Sequence, residues 1–212
     1  MPEIWFIRHG ESTSNANLRT THPADSPLTP QGEREAKSIA ASFDHRPDLL
    51  IVSPYLRARQ TAAPTVARFH PIPQEHWPVQ EFTFLAPIRY LNTTGTERIP
   101  FARDYWQRND PQYKDGGEGE SFAELMDRVQ HVLARLRHPP APFTAVFSHG
   151  LFLGALLWSI LTGTAEVSPE SMERYHYFVR SIHLPNGAII RASFCNDGAV
   201  FLSPFDTSHL SS

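Results

Sequence analysis

Twice in this chain a short, wholly apolar run stops at a histidine followed by a glycine. Ile4, Trp5, Phe6 and Ile7 lead into Arg8, His9 and Gly10, and Ala145, Val146 and Phe147 lead into Ser148, His149 and Gly150. Unbroken apolar runs of this length describe strands buried on both faces, which belong to parallel sheets covered by helices. In open α/β sheets ligands collect at the carboxyl ends of such strands, so the two imidazoles are expected to face each other across one site. A third run, Leu49 to Val52, ends in Ser53 and Pro54 and delivers Arg57 just beyond.

The segments between these runs read as crossovers. Glu11 to Pro27 is polar and predicts a loop bordering the site. Thr29 and Pro30 supply a helix cap and a first-turn proline, and Ala36, Ile39, Ala40 and Phe43 recur at helical spacing. The resulting βαβ unit is expected to be right-handed. Ser53 and Pro54 repeat the cap-and-proline arrangement before a helix whose first turn carries Arg57, with Pro64 expected to kink or restart it before Phe69. Prolines at 73 and 78 predict that any strand within Ile72 to Val79 is short.

Ser121 and Glu124 form a capping box ahead of an apolar stripe ending near Leu136. Another apolar helix is predicted from Gly150 to about Gly163, and a further one from Ser168 and Pro169 with Met172, Tyr175, Phe178, Val179 and Ile182 facing inward. Two strands, Gly187 to Phe194 and Ala199 to Leu202, are joined at Asn196, Asp197 and Gly198 in a hairpin, predicting an antiparallel edge. Phe82 to Gly119 lacks clear periodicity but holds many aromatics, which predicts an ordered, irregular cap over the site. The tail from Ser208 to Ser212 is expected to fray.

With 212 residues the chain is long enough for one substantial core, so residues 1–212 are read as a single domain with 82–119 as an inserted cap. A formal net charge of −3 argues against a nucleic-acid surface, and no apolar run approaches the roughly 20 residues of a membrane span. Met1 to Ile7 enters a strand directly, without the features of a secretion signal, so the chain is expected to start as written. One cysteine, Cys195, permits no intrachain disulfide and fits the cytoplasm. Oligomeric state is left open.

Arg8 and Arg57 offer two forked donors suited to phosphoryl oxygens. Asn15 can add a hydrogen bond, and main-chain amides at the helix beginning near Gly150 add partial positive charge, with Gly10 and Gly150 allowing close backbone approach. Neutral imidazole is a competent nucleophile near pH 7, and His9 is assigned that role. His149 is assigned to stabilise charge on the phosphoryl oxygens. A carboxylic acid must protonate the leaving alkoxide and then activate water; Glu81 is best placed, with Glu11, Glu118 and Glu120 as competitors.

The combined motifs resemble the histidine phosphatase, or phosphoglycerate mutase-like, superfamily. They comprise Arg8, His9, Gly10, Glu11 and Ser12 with Asn15; Leu28, Thr29 and Gly32; Ser53, Pro54, Arg57, Gln60, Thr61 and Ala62; and Ser148, His149 and Gly150. The resemblance spans nearly the whole chain. It implies a three-layer α/β/α sandwich with a mostly parallel central sheet, a phosphohistidine intermediate on His9, and phosphate contacts from Arg8, Asn15, Arg57 and His149. It also implies Glu81 as proton donor and no metal or other cofactor. Ser12, Thr29 and Gly150 complete the substrate-binding set carried over from these motifs.

The chain departs from the mutase pattern where Glu81 is followed by Phe82, Thr83, Phe84 and Leu85, which argues against mutase activity. Ser12 stands where threonine is commoner, and Leu151 where a second glycine is common. Arg89, Arg98, Arg103 and Arg108 in the cap could hold a second anionic group, although solvated faces explain them equally well. A zinc site on His9 and His149 lacks an obvious third ligand, and no glycine-flanked serine elbow is present. The reading is a phosphatase of small or medium phosphomonoesters. Its alternatives are a mutase-type phosphotransferase and a catalytically silent phosphate-binding or scaffold protein.

Overall fold

A computed structural model describes residues 2–195 and 198–211. Strand β1 (Glu3–Arg8) lies between two partners, parallel β4 (Phe143–Ser148) and antiparallel β5 (Ile189–Phe194). On the far side of β4 come β2 (Leu49–Val52) and the two-residue β3 (Gln74–Glu75), both parallel. Strand β6 (Val200–Leu202) pairs antiparallel with β5, giving the order β3-β2-β4-β1-β5-β6. The sheet is thus mostly parallel with an antiparallel edge, as expected for the α/β class. Residues 196 and 197 of the expected hairpin turn lie outside the described residues.

Alternation along the strands splits the interior in two. Trp5, Ile7, Leu50, Val52 and Phe147 join Ile39 and Phe43 beneath α1 (Pro30–Ala41) and α2 (Leu56–Arg68). Ile4, Phe6, Ile51 and Val146 join the buried stripes of α4 (Phe122–Leu136), α5 (Gly150–Thr162) and α6 (Pro169–Ile182). Each fully buried Leu, Ile or Phe contributes about 1.5–3 kcal/mol relative to exposure. With no free face on its central strands, the sheet offers ligands only its strand ends.

The predicted helix starts at Thr29, Ser121 and Ser168 are all present. Thr29 Oγ1 accepts the Gly32 amide at 3.1 Å, and Ser121 and Glu124 make a reciprocal capping box. Ser168 caps α6 in the same way.

Four local expectations are corrected. Ser53 does not cap α2: the cap position is Tyr55, because the Ser53 hydroxyl is engaged by a histidine. Pro64 does not restart α2, which is continuous from Leu56 to Arg68; packing against α1 compensates for the single hydrogen bond the proline removes. The 82–119 segment is not irregular throughout. It contains α3 (Gly95–Arg108), started by a Thr94–Glu97 capping box and closed by Asn109 in the left-handed conformation. The helix was concealed because it buries little beyond Arg98 and Tyr105 and so lacks an apolar stripe. Finally, 208–211 is held rather than frayed: Ser208–Leu210 forms a 3-10 turn, and His209 Nε2 lies 3.0 Å from the Gly187 carbonyl.

Among the described residues no helix is long and apolar enough to cross a membrane.

Candidate active site

Sheet register builds the site. Arg8 is level with Ser148 on the neighbouring parallel strand, so His9 and His149 leave β1 and β4 side by side, their ring centroids 5.0 Å apart. Val52 is level with Phe147, so Ser53 comes level with Ser148, one residue short of His149, and its Oγ lies 2.7 Å from His149 Nε2. Three adjacent strand ends therefore present Ser53, His149 and His9 in a row. Ser148 turns away, donating to the Val79 carbonyl at 2.7 Å.

His9 is 2 % exposed and held at both nitrogens. Nδ1 lies 2.7 Å from the Gly10 carbonyl, and Nε2 accepts from Arg57 Nε at 3.0 Å. Since a carbonyl can only accept, the proton sits on Nδ1 and the lone pair on Nε2. Burial, then Arg57 and Arg8, hold the His9 pKa well below its usual 6.5. The same burial, with Arg57, His9, Arg8 and Arg128, depresses His149.

Arg57 is buried in the first turn of α2, and its Nη1 donates to the Pro23 carbonyl at 2.7 Å. Arg8 donates to the Leu184 carbonyl, while its Nε is buried without a hydrogen-bond partner. Desolvation lowers both guanidinium pKa values, and Glu81 opposes the shift in each. Neither arginine forms a carboxylate ion pair among the described residues. Two positive groups thus converge on His9 with Glu81 as a nearby counter-charge but no carboxylate in ion-pair contact among the described residues.

Asn15 stands on the 11–27 loop with its Oδ1 taken by the Ser12 amide, the Ser12 hydroxyl and Asn186 Nδ2. That arrangement orients its Nδ2 donors away from Ser12. Glu81 Oε1 accepts three amides, from Phe82, Leu151 and Phe152, at 3.0–3.1 Å. At the N-terminus of α5 the Leu151 and Phe152 amides are therefore engaged by the Glu81 carboxylate and are not open to a phosphoryl group. Gly150 serves packing: a Cβ there would come within 3.2 Å of Arg8 Nε. Gly10 likewise faces α1, where a Cβ would lie 2.6 Å from the Gly32 carbonyl oxygen.

A cavity of about 260 Å³ opens beside these groups, lined by His9, Ser12, Asn15, Arg57 and Glu81 on the sheet side and by Tyr90 and Arg98 from the cap. Pro23 and Thr83 border both this cavity and a wider recess of about 710 Å³. Thr29 lies elsewhere, bonded to Glu11 Oε1 at 2.6 Å and capping α1. Among the described residues no three His, Cys, Asp or Glu side chains are grouped as a cation would need.

The residues that sequence reasoning missed here are Ser53, read as a helix cap, and Asn186. Asn186 Nδ2 bridges the His9 carbonyl and Asn15 Oδ1 at 3.1 and 3.2 Å. Ser53 carried a readable signal, since it follows an apolar run just as the two histidines do. Asn186 carried none.

Residues 4–206 match the family model of the histidine phosphatase superfamily, branch 1. The chain belongs to that superfamily. Among curated relatives, a protein named as a probable phosphoglycerate mutase, GpmB, of Yersinia enterocolitica is 28% identical over 215 residues, covering 99% of this chain and 95% of that protein. Solved structures share the fold. A phosphoserine phosphatase of Entamoeba histolytica, determined with 3-phosphoglyceric acid, superposes with a TM-score of 0.72 at 23% identity, over 99% of this chain and 100% of the other. The alpha-ribazole phosphatase of Shigella flexneri gives 0.72 at 23% identity, covering 97% and 96%.

Proposed function

We propose that this member of the superfamily is a phosphatase of small phosphomonoesters that works through a phosphohistidine on His9. The observation that carries the reading is the pair of half-buried Arg8 and buried Arg57, neither in a carboxylate ion pair among the described residues, beside an imidazole whose Nε2 lone pair faces a guanidinium. Buried cations left unpaired by the protein are costly unless a ligand supplies the opposite charge.

In the first step His9 Nε2 attacks phosphorus, and the Nε2–P bond forms as the P–O bond to the alcohol breaks. Arg57 Nε–H, released from Nε2, turns to a phosphoryl oxygen. Arg8, Asn15 Nδ2 and the unpaired ring nitrogen of His149 hold the remaining charge. Glu81 Oε2, with Oε1 anchored by three amides, gives its proton to the departing alkoxide. In the second step Glu81 takes a proton from water, whose oxygen attacks phosphorus, and the N–P bond breaks to release orthophosphate and neutral His9. No step uses a metal or other cofactor.

Residues 82–119 are the cap that closes over this chemistry. The single cysteine supports a cytoplasmic location. The name of the GpmB relative favours a second reading, mutase-type transfer to an acceptor, and the apolar Phe82 and Leu85 after Glu81 weigh against it.

The test is orthophosphate release from an aryl phosphate. His9→Ala should reduce it by at least about 10³-fold, and chelator should leave it intact. Activity that survives His9→Ala and vanishes with chelator would refute the mechanism. Phosphoryl transfer to a hydroxy-acid acceptor in place of orthophosphate release would support the mutase reading.

A further inference from the structure

Arg98 is 6 % exposed in the first turns of α3, yet it forms no carboxylate ion pair among the described residues. The nearest acid in sequence, Glu97, is committed to the Thr94 amide and to Arg19. Nη1 of Arg98 is spent on Thr20 Oγ1, the Thr93 carbonyl and Thr93 Oγ1, all within 2.9–3.0 Å. Nη2 has only a long contact of 3.4 Å to Ser14 Oγ, and Nε makes no hydrogen bond. The guanidinium edge left open is therefore the Nε–Nη2 edge, whose two parallel N–H groups match the two oxygens of a carboxylate.

Arg98 lines the same cavity as His9, as do Ser14, Tyr90 and Gly95. Tyr90 stacks on Arg98, with the guanidinium carbon 4.6 Å from the ring centroid, and restricts its swing. The bridge between Thr20 and Thr93, together with the Thr96 amide donating to Asn17 Oδ1, ties α3 to the loop carrying Ser14 and Asn15. The arginine is thereby held on the cap side of the cavity that His9 and Arg57 line from the sheet side. Arg89 differs, being neutralised by Asp115, and Arg108 is paired with Asp104.

We infer that Arg98, with Ser14, forms a subsite for a carboxylate on the leaving group, making small phosphorylated hydroxy acids the preferred substrate class. The inference rests on the phosphatase reading of the same cavity. The volume of about 260 Å³ suits an ester of a few carbons. Ser14 Oγ accepts from Nη2 and has its own proton to donate to the second anionic group.

The test compares two esters with one carbon skeleton, 3-phosphoglycerate and glycerol 3-phosphate, with propane-1,3-diol bisphosphate as a third ligand. Wild-type kcat/KM should favour 3-phosphoglycerate over glycerol 3-phosphate at least tenfold. Arg98→Met should cut that ratio at least tenfold, and Arg98→Lys should restore part of it. Should Arg98→Met misfold, Ser14→Ala removes the hydroxyl beside Nη2 while leaving the Nη1 bonds in place, and it should lower the same ratio. Calorimetric titration of His9→Ala with the three ligands reads the subsite without turnover, so it separates failure of the subsite from failure of the phosphatase reading. A ratio near one in both turnover and binding, or a ratio unmoved by Arg98→Met and Ser14→Ala, overturns the subsite. Tighter binding of the bisphosphate than of 3-phosphoglycerate overturns its assignment to a carboxylate.

Discussion

Arg57 Nε donates to His9 Nε2 at 3.0 Å, a hydrogen bond that only the neutral imidazole can accept. A cation thus guards the nucleophile's lone pair in the free protein and is the group that must turn toward the phosphoryl oxygens when substrate enters. The same contact, with burial, explains why His9 resists protonation.

That resistance makes folding stability depend on pH. Below pH 6.5 the unfolded chain binds protons on the residues corresponding to His9 and His149, whereas the folded rings remain neutral. Stability should therefore fall as pH drops below about 6.5, by up to about 1.4 kcal/mol per pH unit for each ring, until the depressed folded values are reached. Above pH 6.5 both states are neutral and the penalty is absent. His176 and His209 shift the same way, so the decisive quantity is a difference. Urea midpoints between pH 7.5 and 5 should decline less steeply in His149→Asn than in wild type. Equal slopes would contradict the buried neutral ring.

Ser53 Oγ accepts the Tyr55 amide at 3.3 Å and lies 2.7 Å from His149 Nε2. The hydroxyl keeps both a proton and a second lone pair for this contact, so it holds His149 through Nε2 in either tautomer. Ser53→Ala should leave a buried ring nitrogen unpaired, a cost of about 1–3 kcal/mol that we expect to appear as a kcat/KM loss of about tenfold or more. Ser53→Thr should recover most of it. Full activity in Ser53→Ala would show that His149 needs no such orientation.

Glu81 touches the N-terminus of α5 through one oxygen only. Glu81→Gln keeps the side-chain shape but cannot deliver the proton. Phosphoenzyme formation should slow by about 10²–10⁴-fold for alkyl esters and far less for aryl esters that leave as stable anions. Rapid-quench kinetics across a leaving-group series would check this, and uniform slowing would remove Glu81 as the acid.

Gly32 matters to the fold rather than to the chemistry. A Cβ at this position would run into the Glu11 backbone, which lies against the first turn of α1. Gly32→Ala should destabilise the protein by about 1–3 kcal/mol, whereas Lys37→Ala, exposed on the same helix, should change stability by less than about 0.5 kcal/mol. Denaturant midpoints would read both.

The central strands were legible because strands buried on both faces admit only apolar residues. The caps at Thr29, Ser121 and Ser168 were legible because the pairing of hydroxyl and amide is local. Helix α3 was not, since a cap helix exposed to solvent on much of its surface carries no apolar stripe. Arg98 shows the limit well: four cap arginines look alike as letters, and only their partners separate the buried unpaired one from those neutralised by Asp115 or Asp104.

From the order of residues alone follow the α/β class, the two imidazoles at strand ends and the arginines near them, because each depends on local pattern or on covalent neighbours. Tertiary structure alone decided that β1 and β4 lie adjacent and in level register, that Ser53 serves His149 instead of α2, and that Glu81 occupies the α5 amides. Those contacts join residues tens of positions apart, and their distances are set by how the sheet pairs and how the cap packs.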